Sequence, residues 1–224
     1  MTPPSYLPLL EQIDQWHHGL RVRHPNVVPC RAGCSACCHG PFDISVADTA
    51  ILIEAVKNLE PALLAAVIER ARTDVASMLA LQPVWPAPFD IGAIGDDRFD
   101  MICDSLAQRP CPLLDPTGAC LTYPSRPMIC RIMGMGILSE SGNVIENGCP
   151  IQTDFPAYAS LPPQPVALEI WEEGEEIAKQ AAAVQLFGDP AQSEYETTIA
   201  AAIVAWIGGD SPSEPATPTP PFKS

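Results

Sequence analysis

The sequence predicts a mainly α protein: an irregular, cysteine-rich metal-binding centre surrounded by helices, with at most a small β-hairpin. Three observations carry this expectation. Apolar residues recur at helical spacing in several long segments. The nine cysteines crowd into Pro- and Gly-rich stretches that hold neither a helical nor a strand period. Strand alternation is weak and confined to 135–138 and 143–145, split by Ser141-Gly142.

Residues 6–23 place Leu9, Leu10, Ile13, Trp16 and Leu20 on one helical stripe, which His24-Pro25 ends because the residue before proline avoids the helical region. Residues 29–41 read as loop or tight turn. Ser45, with Asp48 three residues on, is a capping-box-like start for a helix to about Leu59. Pro61 then opens a second helix, with proline tolerated at its first position. Its stripe is Leu64, Ile68, Ala71, Val75, Met78 and Leu79. Residues 82–100, with Pro83, Pro86, Pro88, Gly92 and Gly95, read as an irregular connector. A second cysteine region follows from Cys103 to Cys149. Residues 166–187 read as helix, stopped by Gly188. Asp189 and Pro190 predict the start of a last helix to about Ile207. The proline-rich tail 210–224 reads as disordered. The organisation expected is an N-terminal helix in 1–28, a cysteine cluster domain in 29–151, C-terminal helices in 152–209 and the tail.

The formal net charge is −15, from 27 acidic against 12 basic side chains, and the basic ones are scattered. Phosphate contacts need a basic patch, so nucleic acid and anionic membrane are not expected partners. No stretch reaches the length of a membrane span, and the N-terminus has neither a basic n-region nor an apolar h-region. The expected location is the cytoplasm. There, clustered cysteines point to metal or redox chemistry rather than to structural disulfides.

The first cluster is Cys30, Cys34, Cys37 and Cys38; the second is Cys111, Cys120, Cys130 and Cys149. Thiolates are soft ligands that favour zinc, copper(I) or iron–sulfur centres. Adjacent side chains usually point apart, so Cys37 and Cys38 fit poorly on a single tetrahedral ion. Eight sulfurs divide into two four-coordinate sites, or into one cluster with supporting thiols. Cys103, in the apolar setting Phe99–Cys103, reads as a small buried hydrophobe. His39 reads as a turn residue, His17 and His18 as helix surface or packing, and Met133 and Met135 as core. Glu172, Glu173, Glu175 and Glu176 read as a solvated helix face. Arg126 and Arg131 flank Cys130, where they would offset thiolate charge at a bound cofactor.

The run Cys-Arg-Ala-Gly-Cys-Ser-Ala-Cys-Cys at 30–38, Cys111-Pro-Leu-Leu, and the string from Cys120 through Tyr123, Arg126, Pro127 and Cys130-Arg131 resemble the YkgJ-type cysteine cluster family. That family is named for its CxxCxxCC signature and described as zinc- or iron-chelating. Asn147-Gly148-Cys149-Pro150 is similar to its last cysteine position. The resemblance covers about residues 29–151, with three residues between Cys30 and Cys34 where the signature often has two. It implies metal binding through the matching cysteines and leaves the reaction open.

Two function classes follow. The first is an intracellular metal-binding protein that holds zinc or an iron–sulfur centre through the eight cysteines. Its role would be metal handling or structural, with the flanking helices free for a protein partner. The second is an iron–sulfur redox or protein-modifying enzyme, since a similar domain occurs in flagellin lysine methylases. A thiol–disulfide sensor using Cys34 and Cys37, and a radical-SAM cluster on Cys30, Cys34 and Cys37, are weaker alternatives. Ala36 stands where the latter usually has an aromatic residue, and no strand–helix alternation supports a barrel. No catalytic residue is identified.

Overall fold

A computed structural model describes residues 6–31 and 33–209. The tail expected to be disordered lies outside the described residues. Helix accounts for 54% of the structure, so helices carry the fold and the strands only tie segments together. Among the described residues, no helix is long and apolar enough to cross a membrane.

Helix α1 (Tyr6–Arg23) buries Leu9, Leu10, Ile13 and Leu20 on the predicted stripe. Strand β1 (Asp43–Ser45) leads into α2 (Val46–Lys57), where Ser45 Oγ accepts the Asp48 amide as an N-cap. Helix α3 (Pro61–Leu81) begins with proline in its first turn, as expected. Helix α7 (Leu168–Phe187) stops at Gly188, whose left-handed φ of 72° closes the last turn through its N–H to the Val184 carbonyl. The hairpin of β2 (Ile137–Leu138) and β3 (Val144–Ile145) forms where the alternation is found. A parallel edge strand, β4 (Gln164–Pro165), adds to it.

Two expectations need correction. The connector at 82–100 is irregular only to Gly95; helix α4 (Asp96–Ser105) follows and carries Cys103. Proline and glycine dominate the reading of that stretch, but Asp96 and Asp97 put carboxylates in a helix's first turn, where the backbone N–H groups favour negative charge. The single helix expected from Pro190 to about Ile207 is instead a 3-10 turn, strand β5 (Glu196–Thr198) and helix α8 (Ile199–Trp206). Asp189 caps only the turn. The β-branched pair Thr197-Thr198 suits extended backbone, and β5 pairs antiparallel with β1. Tyr195 Oη and Thr197 Oγ donate to the Pro88 and Phe89 carbonyls at 2.6 and 2.9 Å, fixing the segment against the connector. Thr198 Oγ then caps α8 by accepting the Ala201 amide.

Every residue of α8 from Ile199 to Ala205 is buried, as an all-apolar helix must be. It packs along α3 and against α2, forming one core with Trp85, Phe89 and Phe99. A second core joins α1, α2 and α7, and includes an edge-on Trp16–Trp171 pair with centroids 5.4 Å apart. A third, small core holds Leu20, Met135, Cys149 and Tyr158. Cys103, Cys111, Cys120 and Cys130 pack against the first core, and Cys149 is part of the third.

Candidate metal centre

The first cysteine segment is wound by two tight turns. The Cys34 N–H donates to the Arg31 carbonyl and the Cys38 N–H to the Ser35 carbonyl, each at 2.9 Å. Backbone pairing joins it to the second segment. The Cys111 N–H donates to the Cys38 carbonyl at 2.9 Å, and the Gly40 N–H to the Arg109 carbonyl at 2.7 Å. From Cys111 the chain makes a narrow loop back to Cys120. Asp115 closes it, with Oδ1 accepting from the Thr117 and Ala119 amides at 2.8 and 2.9 Å.

Cys130 rides on α5 (Met128–Ile132), a helix too short to hold itself. Other helices hold it. The Asp48 carboxylate of α2 accepts the Met128 N–H at 3.0 and 3.1 Å and the Tyr6 hydroxyl at 2.8 Å. Asp14 of α1 pairs with Arg126 at 2.7 Å and also with Arg131. Arg131 is 3% exposed, and its remaining N–H groups donate to the Arg126 and Pro124 carbonyls at 2.9 and 2.8 Å. Arg126 also stacks over Tyr123, 4.1 Å from its ring centre. The two arginines therefore anchor the Cys120–Cys130 loop to α1.

Cys30, Cys34, Cys37, Cys38, Cys111, Cys120 and Cys130 line one cavity of about 100 Å³, together with Arg126, Arg131, His17 and Met133. One water needs about 10–15 Å³ of such space, so the cavity exceeds the needs of a lone small ion. Cys149 is not on this wall; it stands behind Cys30, where its N–H donates to Asn147 Oδ1 at 2.9 Å. Tyr158, on the short helix α6 (Pro156–Ala159), joins the two cysteines. Its hydroxyl donates to the Gly134 carbonyl, lies 3.3 Å from Asn147 Oδ1 and 3.9 Å from Cys30 Sγ. Cys103 is off the wall on α4, its Sγ 3.6 Å from the Pro41 carbonyl. His39 pairs with Pro110 through the backbone and is also off the wall.

Burial pushes the Cys30 thiol up to about 11 and Cys111 to about 12, and raises Cys130 strongly. Cys37 is raised first by its hydrogen bond with Cys38 and then by burial. These four thiols, Cys30, Cys37, Cys111 and Cys130, are thus protonated near neutrality, and a bound cation must displace their protons. The electrostatic neighbours fall into two groups. Cys30 is raised further by Cys149, Cys34 and Cys37, and Cys130 by Cys111, Cys120 and Cys37. Cys37 belongs to both. Among the described residues, no three His, Cys, Asp or Glu side chains already stand in a closed ligand arrangement. The donor set still fits a thiophilic metal, because seven thiols share one cavity, and closing a shell requires their side chains to turn inward.

Gly134 shows how tightly this corner is built. It has φ +86°, and an added Cβ would lie 3.0 Å from both Cys30 Sγ and Tyr158 Oη. Gly134→Ala should displace Cys30 and destabilise the fold by about 1–3 kcal/mol, measured by chemical denaturation. A stability within error of wild type would mean that this corner gives way freely.

Asp14 and Tyr158 matter here and have no motif to announce them, while Asn147 and Asp48 stand in motifs that do not reveal what their side chains hold. Asp48 fits the capping-box spacing, but its carboxylate serves α5 rather than its own helix. Glu175, expected on a solvated face, turns inward and accepts from Ser45 Oγ at 2.9 Å. His17 also sits on the cavity wall, its pKa lowered to about 4 by burial, then by Arg126 and Arg21.

Burial, then repulsion from Glu175, pushes Asp48 up to about 7, while the Tyr6 hydroxyl, the Met128 N–H and Arg131 oppose the change. The folded chain then binds a proton that the unfolded chain has released, so this group's contribution to stability falls as pH rises from 3.8 to about 7. Asp48→Asn keeps a carbonyl acceptor and removes the titration. Across that window, wild type should lose stability relative to the variant by a few kcal/mol, because each tenfold change in proton affinity is worth about 1.4 kcal/mol. Parallel denaturation curves at each pH would disprove this.

A model of the CxxCxxCC family, described as "putative zinc- or iron-chelating domain", matches residues 29–150. No curated protein and no solved structure matches the chain.

Proposed function

Because the chain belongs to the CxxCxxCC family, we propose that its eight clustered cysteines hold zinc or an iron–sulfur centre, in a metal-handling or structural role. The observation that carries this reading is the single cavity lined by seven thiols from both cysteine clusters. The proposed ligands are Cys30, Cys34, Cys37, Cys38, Cys111, Cys120, Cys130 and Cys149, and Cys37 stands among the charged neighbours of both Cys30 and Cys130. Zinc would supply a fixed crosslink between the clusters, and an iron–sulfur centre would add electron transfer. Arg126 and Arg131 offset part of the thiolate charge. A reducing, cytoplasmic setting suits thiols that must stay free to bind metal.

The test is purification without oxygen, followed by analysis for zinc, iron and acid-labile sulfide. Metal retained in stoichiometric amount supports the reading, and the sulfide decides between zinc and a cluster. A folded chain that carries neither metal, with all thiols open to alkylation, would overturn it.

One observation favours a second reading, an iron–sulfur redox or protein-modifying enzyme. Phe42, Thr122, Tyr123 and His17 line the cavity beside the thiols, giving aromatic and polar surface against which a substrate would lie. This reading requires a coloured protein that carries iron and sulfide. A colourless zinc protein stable in air would sink it.

A further inference from the structure

Beside the cysteine cavity, and sharing Arg21 and Arg31 with it, lies an open groove of about 480 Å³. We propose that it binds a small organic oxyanion, a phosphate or carboxylate carried on an apolar body. The groove is bordered by Arg21, Arg31, His18 and His24, and no Asp or Glu among the described residues lines it. This is unexpected in a chain of net charge −15. His18 and Arg21, three residues apart on α1, share a helix face. Its apolar part includes Val28 and Phe155, the latter exposed on the surface.

Among the described residues, Arg21 makes no ion pair, and Arg31 spends one N–H on the Pro29 carbonyl at 3.4 Å. Both are exposed. Arg109, Arg126 and Arg131 each pair with a carboxylate, and Arg70 and Arg72 donate to backbone carbonyls. Guanidinium groups without carboxylate partners beside an apolar surface suit bidentate recognition of an oxyanion. The volume falls in the range of small-ligand pockets, about 300–1,000 Å³. Arg21 and Arg31 line the cysteine cavity as well, so an anion here would contact the same guanidinium groups that border the thiols.

Calorimetric titration of the full chain as purified, at low salt, tests the site with phenyl phosphate, inorganic phosphate and hexa-aspartate peptide as probes. Phenyl phosphate should bind saturably and more tightly than inorganic phosphate. Arg21→Gln and Arg31→Gln should each weaken it by about tenfold or more, the loss of a charge-assisted contact. Arg98→Gln, on the surface of α4, should leave it unchanged. Rising salt should weaken binding through screening. No saturable binding, equal weakening by Arg98→Gln, or binding of the acidic peptide alone would overturn the inference. None of the groove's residues is a proposed metal ligand. A metal-free chain that still binds phenyl phosphate therefore keeps this inference while removing the metal reading.

Discussion

Cys37→Ser is expected to lower bound metal by roughly half or more, further than serine at any other cysteine, because Cys37 adjoins proposed ligands of both cysteine clusters. Cys37 is the residue whose charge reaches both Cys30 on one side and Cys130 on the other. Its own thiol is raised first by the neighbouring Cys38. Serine keeps the size but presents a hard, protonated oxygen to a soft ion. Cys103→Ala should leave the metal content unchanged, since Cys103 sits outside the cavity wall. The measurement is metal per chain after gel filtration, with near-ultraviolet circular dichroism to show that each variant folds. Full occupancy in Cys37→Ser, or equal loss in Cys103→Ala, would refute the bridging position.

Asp14→Ala should destabilise the chain by about 3 kcal/mol, the low end of what breaking a buried ion pair costs. The low end applies because the Asp14 side chain is 39% exposed, so water reaches the vacated site. Arg131 has no such relief at 2% side-chain exposure and would keep a buried charge without its carboxylate. The loss should spread to the metal centre, because Arg131 adjoins Cys130 and Arg126 holds the loop leading to it. Adding Arg131→Met should recover only part of the stability, since it removes the buried unpaired charge but leaves the Arg126 and Pro124 carbonyls without their donor. Denaturant unfolding of the two single variants and the double variant forms the cycle. Purely additive losses would mean that the pair contributes nothing as a pair.

These two predictions rest on residues of different legibility. Cys37 announces itself: four cysteines within nine residues have few uses in a chain with this composition. Asp14 does not. It is one acidic residue on an amphipathic helix, and its partners lie 112 and 117 residues away. Asp48 misleads in a subtler way. Its spacing from Ser45 satisfies a local capping pattern, yet its carboxylate reaches 80 residues along the chain to Met128. Local spacing reports on backbone geometry within a turn or two. A hydrogen bond made after the helices pack leaves no such trace.

The corrected C-terminal segment follows the same logic. Asp189-Pro190 is a sound helix start, and it does begin a turn. The turn does not propagate, because Tyr195 and Thr197 find partners on the Pro88–Phe89 loop and β5 finds β1. Those partners are more than a hundred residues distant.

The sequence by itself determined the mainly helical class, the bounds of α1, α2, α3 and α7 to within a few residues, and the family. Helical periodicity, proline and glycine punctuation and clustered cysteines are local signals written in consecutive residues. Tertiary structure alone decided that seven thiols share one cavity and that Cys149 stands behind Cys30. It also decided that carboxylates from α1 and α2 brace the short helix of Cys130, and that Arg21 and Arg31 border a groove lined by no acid among the described residues. Those arrangements depend on which distant faces pack together, which burial and charge pairing settle only once the whole chain has folded.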